Sequence, residues 1–187
     1  MSPRLIKSEI IYRGRVITVR LDEVDLGREH PARWEIIDHA GGVVMLPLDN
    51  QNNIWFIRQY RHATGQSLLE LPAGTLEPGE DPRQGAEREL QEEIGMRAGR
   101  WEAIHQFWLA PGYSREYMYA FLARDLTPAP LEPDADEVIS VVKIPQLRAL
   151  ELALAPDSEL QDAKSILCLL ATASRLGWSM PPISSPA

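Results

Sequence analysis

Between Gly74 and Met96 the chain reads GTLEPGEDPRQGAERELQEEIGM. No other stretch restricts the fold as tightly. Asp81 is a good N-cap, Pro82 suits the first helical position, and Gln84 sits three residues after the cap. Gly95 is the expected stop. The segment from Asp81 to Ile94 therefore reads as a helix with Ala86, Leu90 and Ile94 as its inward stripe. Glu89, Glu92 and Glu93 are related by three and four and are expected to project together from another side. A solvated acidic face would tolerate this, because like charges at that spacing cost roughly 0.2–0.5 kcal/mol per pair on an exposed helix. Repulsion alone does not distinguish that reading from a metal site. Hard divalent cations, however, want several carboxylate oxygens converging from a rigid frame.

The surroundings are those of a packed globular protein. The 187 residues fit one ordinary domain, and 44% hydrophobic with 25% charged residues excludes a disordered chain. A net charge of −8 argues against sequence-independent binding to nucleic acid or anionic membrane, which needs a basic face. An anionic substrate would need local arginines or a divalent metal. The single cysteine, Cys168, lies among Ile166, Leu167, Leu169 and Leu170 and reads as a buried thiol. The N-terminus lacks a signal-peptide core, and no apolar run approaches the ~18 residues of a spanning helix. The expected location is the cytoplasm.

Strand patterns dominate the first part. Ile17, Val19 and Leu21 alternate with polar residues, and Trp34–Ile37 follows a turn-rich GREHP, as in a hairpin. VVMLPL and IWFIRQY flank a polar DNQNN turn and read as neighbouring buried strands. Further strands are expected at Trp101–Trp108, Glu116–Ala123 and Val138–Ile144, with closing helices near Pro145–Leu154 and Ser158–Leu176. This order implies a mixed β-sheet with helices on its faces, an α+β fold or α/β/α sandwich.

Gly74, five residues, Glu80, seven residues, Arg88-Glu89-Leu90, one residue, Glu92-Glu93, one residue, Gly95-Met96 matches the Nudix box at every defining position. With each fixed residue at ordinary usage, a chance match is on the order of one in ten million. The chain resembles the Nudix hydrolase family, whose members cleave a nucleoside diphosphate linked to some other group. The resemblance implies a Nudix-type α/β/α sandwich over residues 41–180. An N-terminal antiparallel extension over 1–40 would serve as a dimer element, and 181–187 would be a frayed tail. It implies that Mg²⁺, or Mn²⁺, is held against the substrate by Glu89 and Glu93, with Glu92 as a further ligand and the Ala73 carbonyl as a main-chain ligand. Glu80 and Arg88 would be supporting residues.

Features outside the box resemble the ADP-ribose pyrophosphatase branch. Pro111 lies sixteen residues after Gly95, in FWLAPGYSRE, which puts Gly112 and Tyr113 at a substrate-binding turn. By position, Arg61 matches an arginine that binds substrate, with Arg58 a weaker candidate. Trp34 and Glu35 match a tryptophan and glutamate that hold adenine, in a homodimer whose N-terminal strands reach across to the partner. Each has a plainer reading: an ordinary turn, surface arginines, a core tryptophan. The catalytic base, which is also a prospective metal ligand, is assigned to Glu137, with Asp134 and Asp136 as rivals. His62 and His105 are read as structural.

The resulting expectation is Mg²⁺-dependent hydrolysis of ADP-ribose to AMP and ribose 5-phosphate. The alternatives are a Nudix pyrophosphatase for another nucleoside diphosphate sugar such as GDP-mannose, or a sensor that binds ADP-ribose without cleaving it. Such sensors usually carry an added DNA-binding domain, for which the sequence after Leu176 leaves no room. A purely structural protein would be indifferent to loss of the box carboxylates.

Overall fold

The computed structural model describes residues 2–132 and 138–181. The chain forms two compact units. The first comprises residues 1–42 with 107–118, the second residues 43–106 with 119–187.

The first unit is built on an antiparallel meander of β1 (Arg4–Arg13), β2 (Thr18–Asp25) and β3 (Ala32–Asp38). β1 meets β2 with two register shifts, whereas β2 and β3 pair without interruption from Thr18↔Asp38 to Val24↔Ala32. Arg20 fixes that register: its Nε donates to Asp38 Oδ2 at 2.8 Å and its Nη1 to Asp22. The turn after Leu109 belongs to this unit. Ile37 donates its N–H to the Tyr113 carbonyl at 2.7 Å, and Arg115 returns one to the Ile37 carbonyl at 2.9 Å.

In the second unit β4 (Gly42–Pro47) lies in a four-stranded sheet with β7 (Ala73–Thr75), β9 (Tyr117–Pro128) and β8 (Met96–Trp108), in the order β7-β4-β9-β8. A second sheet has the order β10-β5-β6, from β5 (Asn53–Arg61), β6 (Gln66–Glu70) and β10 (Ile139–Pro145). Helix α1 (Pro82–Ile94) lays Ala86, Leu90 and Ile94 against Val43, Met45, Ile57, Ala98 and Ala123. Every residue of β4 is buried, so the opposite face, carrying Val44 and Leu46, is covered too. Helix α2 (Gln146–Leu154) packs on β5 and β10, and against α3 (Ala163–Leu176). Cys168 is fully buried, and desolvation pushes its thiol up to about 12. The α+β class expected from the element order is the class observed.

Three local expectations are corrected. The runs VVMLPL and IWFIRQY do not pair as neighbours; apart from one bridge, Leu48↔Ile54, they lie in different sheets. The intervening turn is wound tightly around Asp49, whose carboxylate accepts from the N–H groups of Gln51 and Asn53 and from the Trp55 indole. β5 finds its partners in β6 and β10 instead. The last helix starts at Ala163 rather than Ser158, because Asp162 caps it and Ser158 is used in a separate turn on the Leu152 and Leu160 carbonyls. β8 begins at Met96, five residues before its expected start. Gly95, left-handed at φ 68°, turns the chain out of α1 directly into it.

Candidate active site

α1 is capped as its sequence dictates. The Asp81 carboxylate accepts from the Arg83 and Gln84 N–H groups at 3.0 and 3.2 Å. The acidic face, however, is not solvated. Glu89 and Glu93 retain only 8% and 5% of their exposure, although both are charged and sit on the same helix. They converge on adjacent backbone. Glu93 Oε2 accepts from the Ala73 N–H at 2.8 Å. The Glu89 carboxyl carbon lies 1.8 Å from where a Cβ on residue 74 would stand, so any side chain there would push the carboxylate out of this position. Gly74 is in the box for its missing side chain: it lets a carboxylate approach the chain.

Arg88 supplies the compensating charge. Its Nη1 donates to Glu89 Oε1 at 2.8 Å and to Glu92 Oε2 at 2.9 Å. Nε and Nη2 form a bidentate pair with Glu80 at 3.0 and 3.1 Å, and Nη2 also reaches the Thr75 carbonyl at 3.1 Å. Hydrogen bonding to Glu80 raises the Arg88 pKa further, and the same pair holds the Glu80 carboxyl below its usual range. Glu80 also accepts from the Glu77 N–H at 2.9 Å, tying the loop before α1 to the helix. Glu80, Arg88, Glu89, Glu92, Glu93 and Ala73 are thus one contiguous assembly. Among the described residues no three carboxylate, imidazole or thiol groups stand as a ready metal cage.

Arg61, at the end of β5, is a second cationic feature of the same unit. Its Nε and Nη2 donate to the two Glu70 oxygens, both at 2.8 Å. Hydrogen bonding to Glu70 raises the Arg61 pKa, and the charge of Glu93 acts in the same direction. Arg58 instead pairs with Glu159. His62 lies 3.4 Å from the Tyr60 hydroxyl, and His105 Nδ1 accepts from the Gln106 N–H at 2.8 Å.

Trp34, Glu35, Gly112 and Tyr113 belong to the first unit, where distant segments of the chain meet. The Pro111–Gly112 turn closes through a Ser114 N–H to Ala110 carbonyl bond at 2.9 Å and docks on Ile37 of β3. Trp34 is 44% exposed and Tyr113 57%, so neither ring is core packing. Successive residues of a strand point to opposite faces, so the Trp34 indole and the Glu35 carboxylate leave β3 on opposite sides. Glu137, Asp134 and Asp136 lie outside the described residues.

Sequence reasoning missed Glu70 and Lys164. Glu70 is 1% exposed and is flanked in sequence by leucines. A charge inside an apolar run signals a buried ion that needs a partner. The run does not say that the partners are Arg61 and, 94 residues on, Lys164.

The NUDIX domain model matches residues 38–167. The methanol dehydrogenase activator of Bacillus methanolicus is 32% identical over 168 residues, covering 89% of this chain and 90% of that protein. The ADP-ribose pyrophosphatase of Bacillus subtilis is 33% identical over 167 residues, covering 88% of this chain and 89% of that one. A crystal structure of an ADP compounds hydrolase superposes with a TM-score of 0.83 at 25% identity, over 95% of both chains. With the box complete, its carboxylates gathered at Ala73–Gly74 and relatives matched nearly end to end, this chain belongs to the Nudix hydrolase family.

Proposed function

We propose that the protein hydrolyses the diphosphate of ADP-ribose, giving AMP and ribose 5-phosphate, with Mg²⁺ as its metal. The observation that carries this reading is the convergence of buried Glu89 and Glu93 on the Ala73–Gly74 backbone beneath Arg88. Hard, charged oxygen donors on a rigid helix beside main-chain carbonyls suit Mg²⁺ or Mn²⁺, and Gly74 keeps the approach clear of side chain. When bound, such a cation neutralises diphosphate oxygens and lowers the pKa of water. The residues that would hold it are Glu89, Glu93, Glu92 and the Ala73 carbonyl.

The remaining roles fall to the chain's own side chains. Arg88 orients Glu89 and Glu92 and offsets their mutual repulsion. Arg61 binds phosphate oxygens of the substrate through the part of its guanidinium that Glu70 leaves clear. Trp34 offers an exposed indole face for adenine, in its own or a partner's site, with Gly112 and Tyr113 as further nucleotide contacts, while Glu35, on the opposite face of β3, would contact a nucleotide other than the one its own Trp34 stacks on. Glu137 is assigned to take the proton from the attacking water, on sequence position alone, with Asp134 and Asp136 as rivals.

A homodimer joined through the N-terminal strands is part of this reading. All ten residues of β1 are exposed, and Leu5, Ile6, Ile10, Ile11 and Tyr12 are each about half exposed or more. β1 is an edge strand, so these apolar groups are ones that a single chain leaves in water. The proposed compartment is the cytoplasm, supported by a lone, fully buried thiol.

The decisive assay is turnover of a panel of ADP-ribose, GDP-mannose, UDP-glucose and diadenosine polyphosphates, with Mg²⁺ and with chelator. ADP-ribose should have the highest kcat/KM and give AMP only with metal. A higher value for another substrate overturns the specificity, and binding without product overturns the reaction.

A further inference from the structure

The Arg61–Glu70 pair continues into the C-terminal helix. Lys164 Nζ donates to Glu70 Oε2 at 2.5 Å and to Asp162 Oδ1 at 2.9 Å. The four groups alternate in sign: Arg61, Glu70, Lys164, Asp162. Burial pushes the Glu70 carboxyl up, but the Arg61 hydrogen bonds and the Lys164 charge outweigh it and hold it ionised below its usual range. The Lys164 side chain keeps only 12% of its exposure, so this is not a surface pair.

The same helix turn grips the backbone just ahead of the box. Ser165 Oγ accepts from the Leu71 N–H at 2.7 Å, and the Ser165 N–H and hydroxyl both go to the Asp162 carboxylate. Residues 70 and 71 are thus held by α3 two residues before Ala73. The side chain of Glu70 carries this constraint across to Arg61 on β5.

Lys164 acts on Arg61 through Glu70. A carboxylate gripped by one guanidinium alone could turn with it, whereas a second cation on Oε2 sets the plane in which Arg61 must lie. We infer that Glu70 and Lys164 are positioning residues for substrate binding: they set the orientation with which the Arg61 guanidinium meets the anionic diphosphate. The inference rests on the phosphate-binding role proposed for Arg61.

A role confined to folding would change stability and leave the KM-to-kcat balance alone. The test is a double-mutant cycle on ADP-ribose hydrolysis, alongside the arginine Nε–Hε resonance of Arg61 in the free protein. Lys164→Met should raise KM about tenfold with kcat within about threefold, a loss of positioned binding rather than of chemistry. Lys164→Arg should restore most of it. In an Arg61→Ala background Lys164→Met should have no further effect on KM. The Arg61 Nε–Hε signal, set by its carboxylate bond, should shift from its wild-type position in Lys164→Met and stay in Lys164→Arg. A KM within twofold of wild type, or an equal rise in the Arg61→Ala background, overturns the inference. So does an unmoved Arg61 signal. If wild type prefers GDP-mannose, the ADP-ribose reading has failed and the same cycle runs on that substrate. Should Lys164→Met fail to fold, Lys164→Gln takes its place in both measurements.

Discussion

Gly74→Ala separates catalytic geometry from folding in one atom. A Cβ at residue 74 would stand 1.8 Å from the Glu89 carboxyl carbon, where ordinary contact begins near 3.4 Å. The carboxyl must retreat by the difference, about 1.6 Å. It sits at the end of a side chain with three rotatable bonds, so the retreat costs little stability. Overpacking costs typically about 1–3 kcal/mol, and alanine recovers about 0.4–1 kcal/mol by restricting the unfolded chain. The net loss lies below about 3 kcal/mol, a fall in Tm of at most roughly 10 °C at about 2–4 °C per kcal/mol. Catalysis has no such slack, because a misplacement of about 1 Å can cost about a hundredfold. The variant should remain folded by near-UV circular dichroism and calorimetry, while kcat/KM for ADP-ribose falls at least about a hundredfold. Half-saturation should also need several times more Mg²⁺. Turnover within about fivefold of wild type, with a normal Mg²⁺ requirement, would show that the Glu89 position beside Gly74 does not matter.

Three further outcomes are expected. Glu93→Gln should cut kcat by orders of magnitude with the melting curve preserved, since the amide still accepts the Ala73 N–H but loses the charge; substantial residual turnover would contradict the site. Glu80 and Glu70 are both held below the ordinary 4.5, by Arg88 in one case and by Arg61 and Lys164 against burial in the other. Depressed carboxylates contribute stability that is complete above the unfolded pKa and disappears as pH falls through the folded one. Urea midpoints should therefore show no slope from these groups between pH 7 and 5, then decline below about 4.5; Glu80→Gln should flatten that decline, and an unchanged acid limb would count against it. Ile11→Asp on the exposed β1 should convert a dimer to monomer in light-scattering chromatography without unfolding the box unit; a wild type already monomeric would remove the dimer.

What the sequence determined by itself is local. The helix from Pro82 to Ile94 was legible because its caps, its stop and its apolar stripe are all within a few residues of one another. The box carboxylates were legible for the same reason, since helical spacing alone puts Glu89 and Glu93 one turn apart. Their burial was not, because it depends on β7 passing beneath them. Only the tertiary structure decided that the Glu89 carboxylate occupies the space beside Gly74, that β4 and β5 belong to different sheets, and that the Pro111 turn docks on Ile37. Arg61 is the clearest case. The sequence marks it as a cation free to meet phosphate, whereas the fold presents it already paired with Glu70, itself held by a lysine on the last helix. Periodicity and capping act over three or four residues, so they can be read along a chain. A buried ion chooses its partners by desolvation and distance, and those exist only once segments about a hundred residues apart have met.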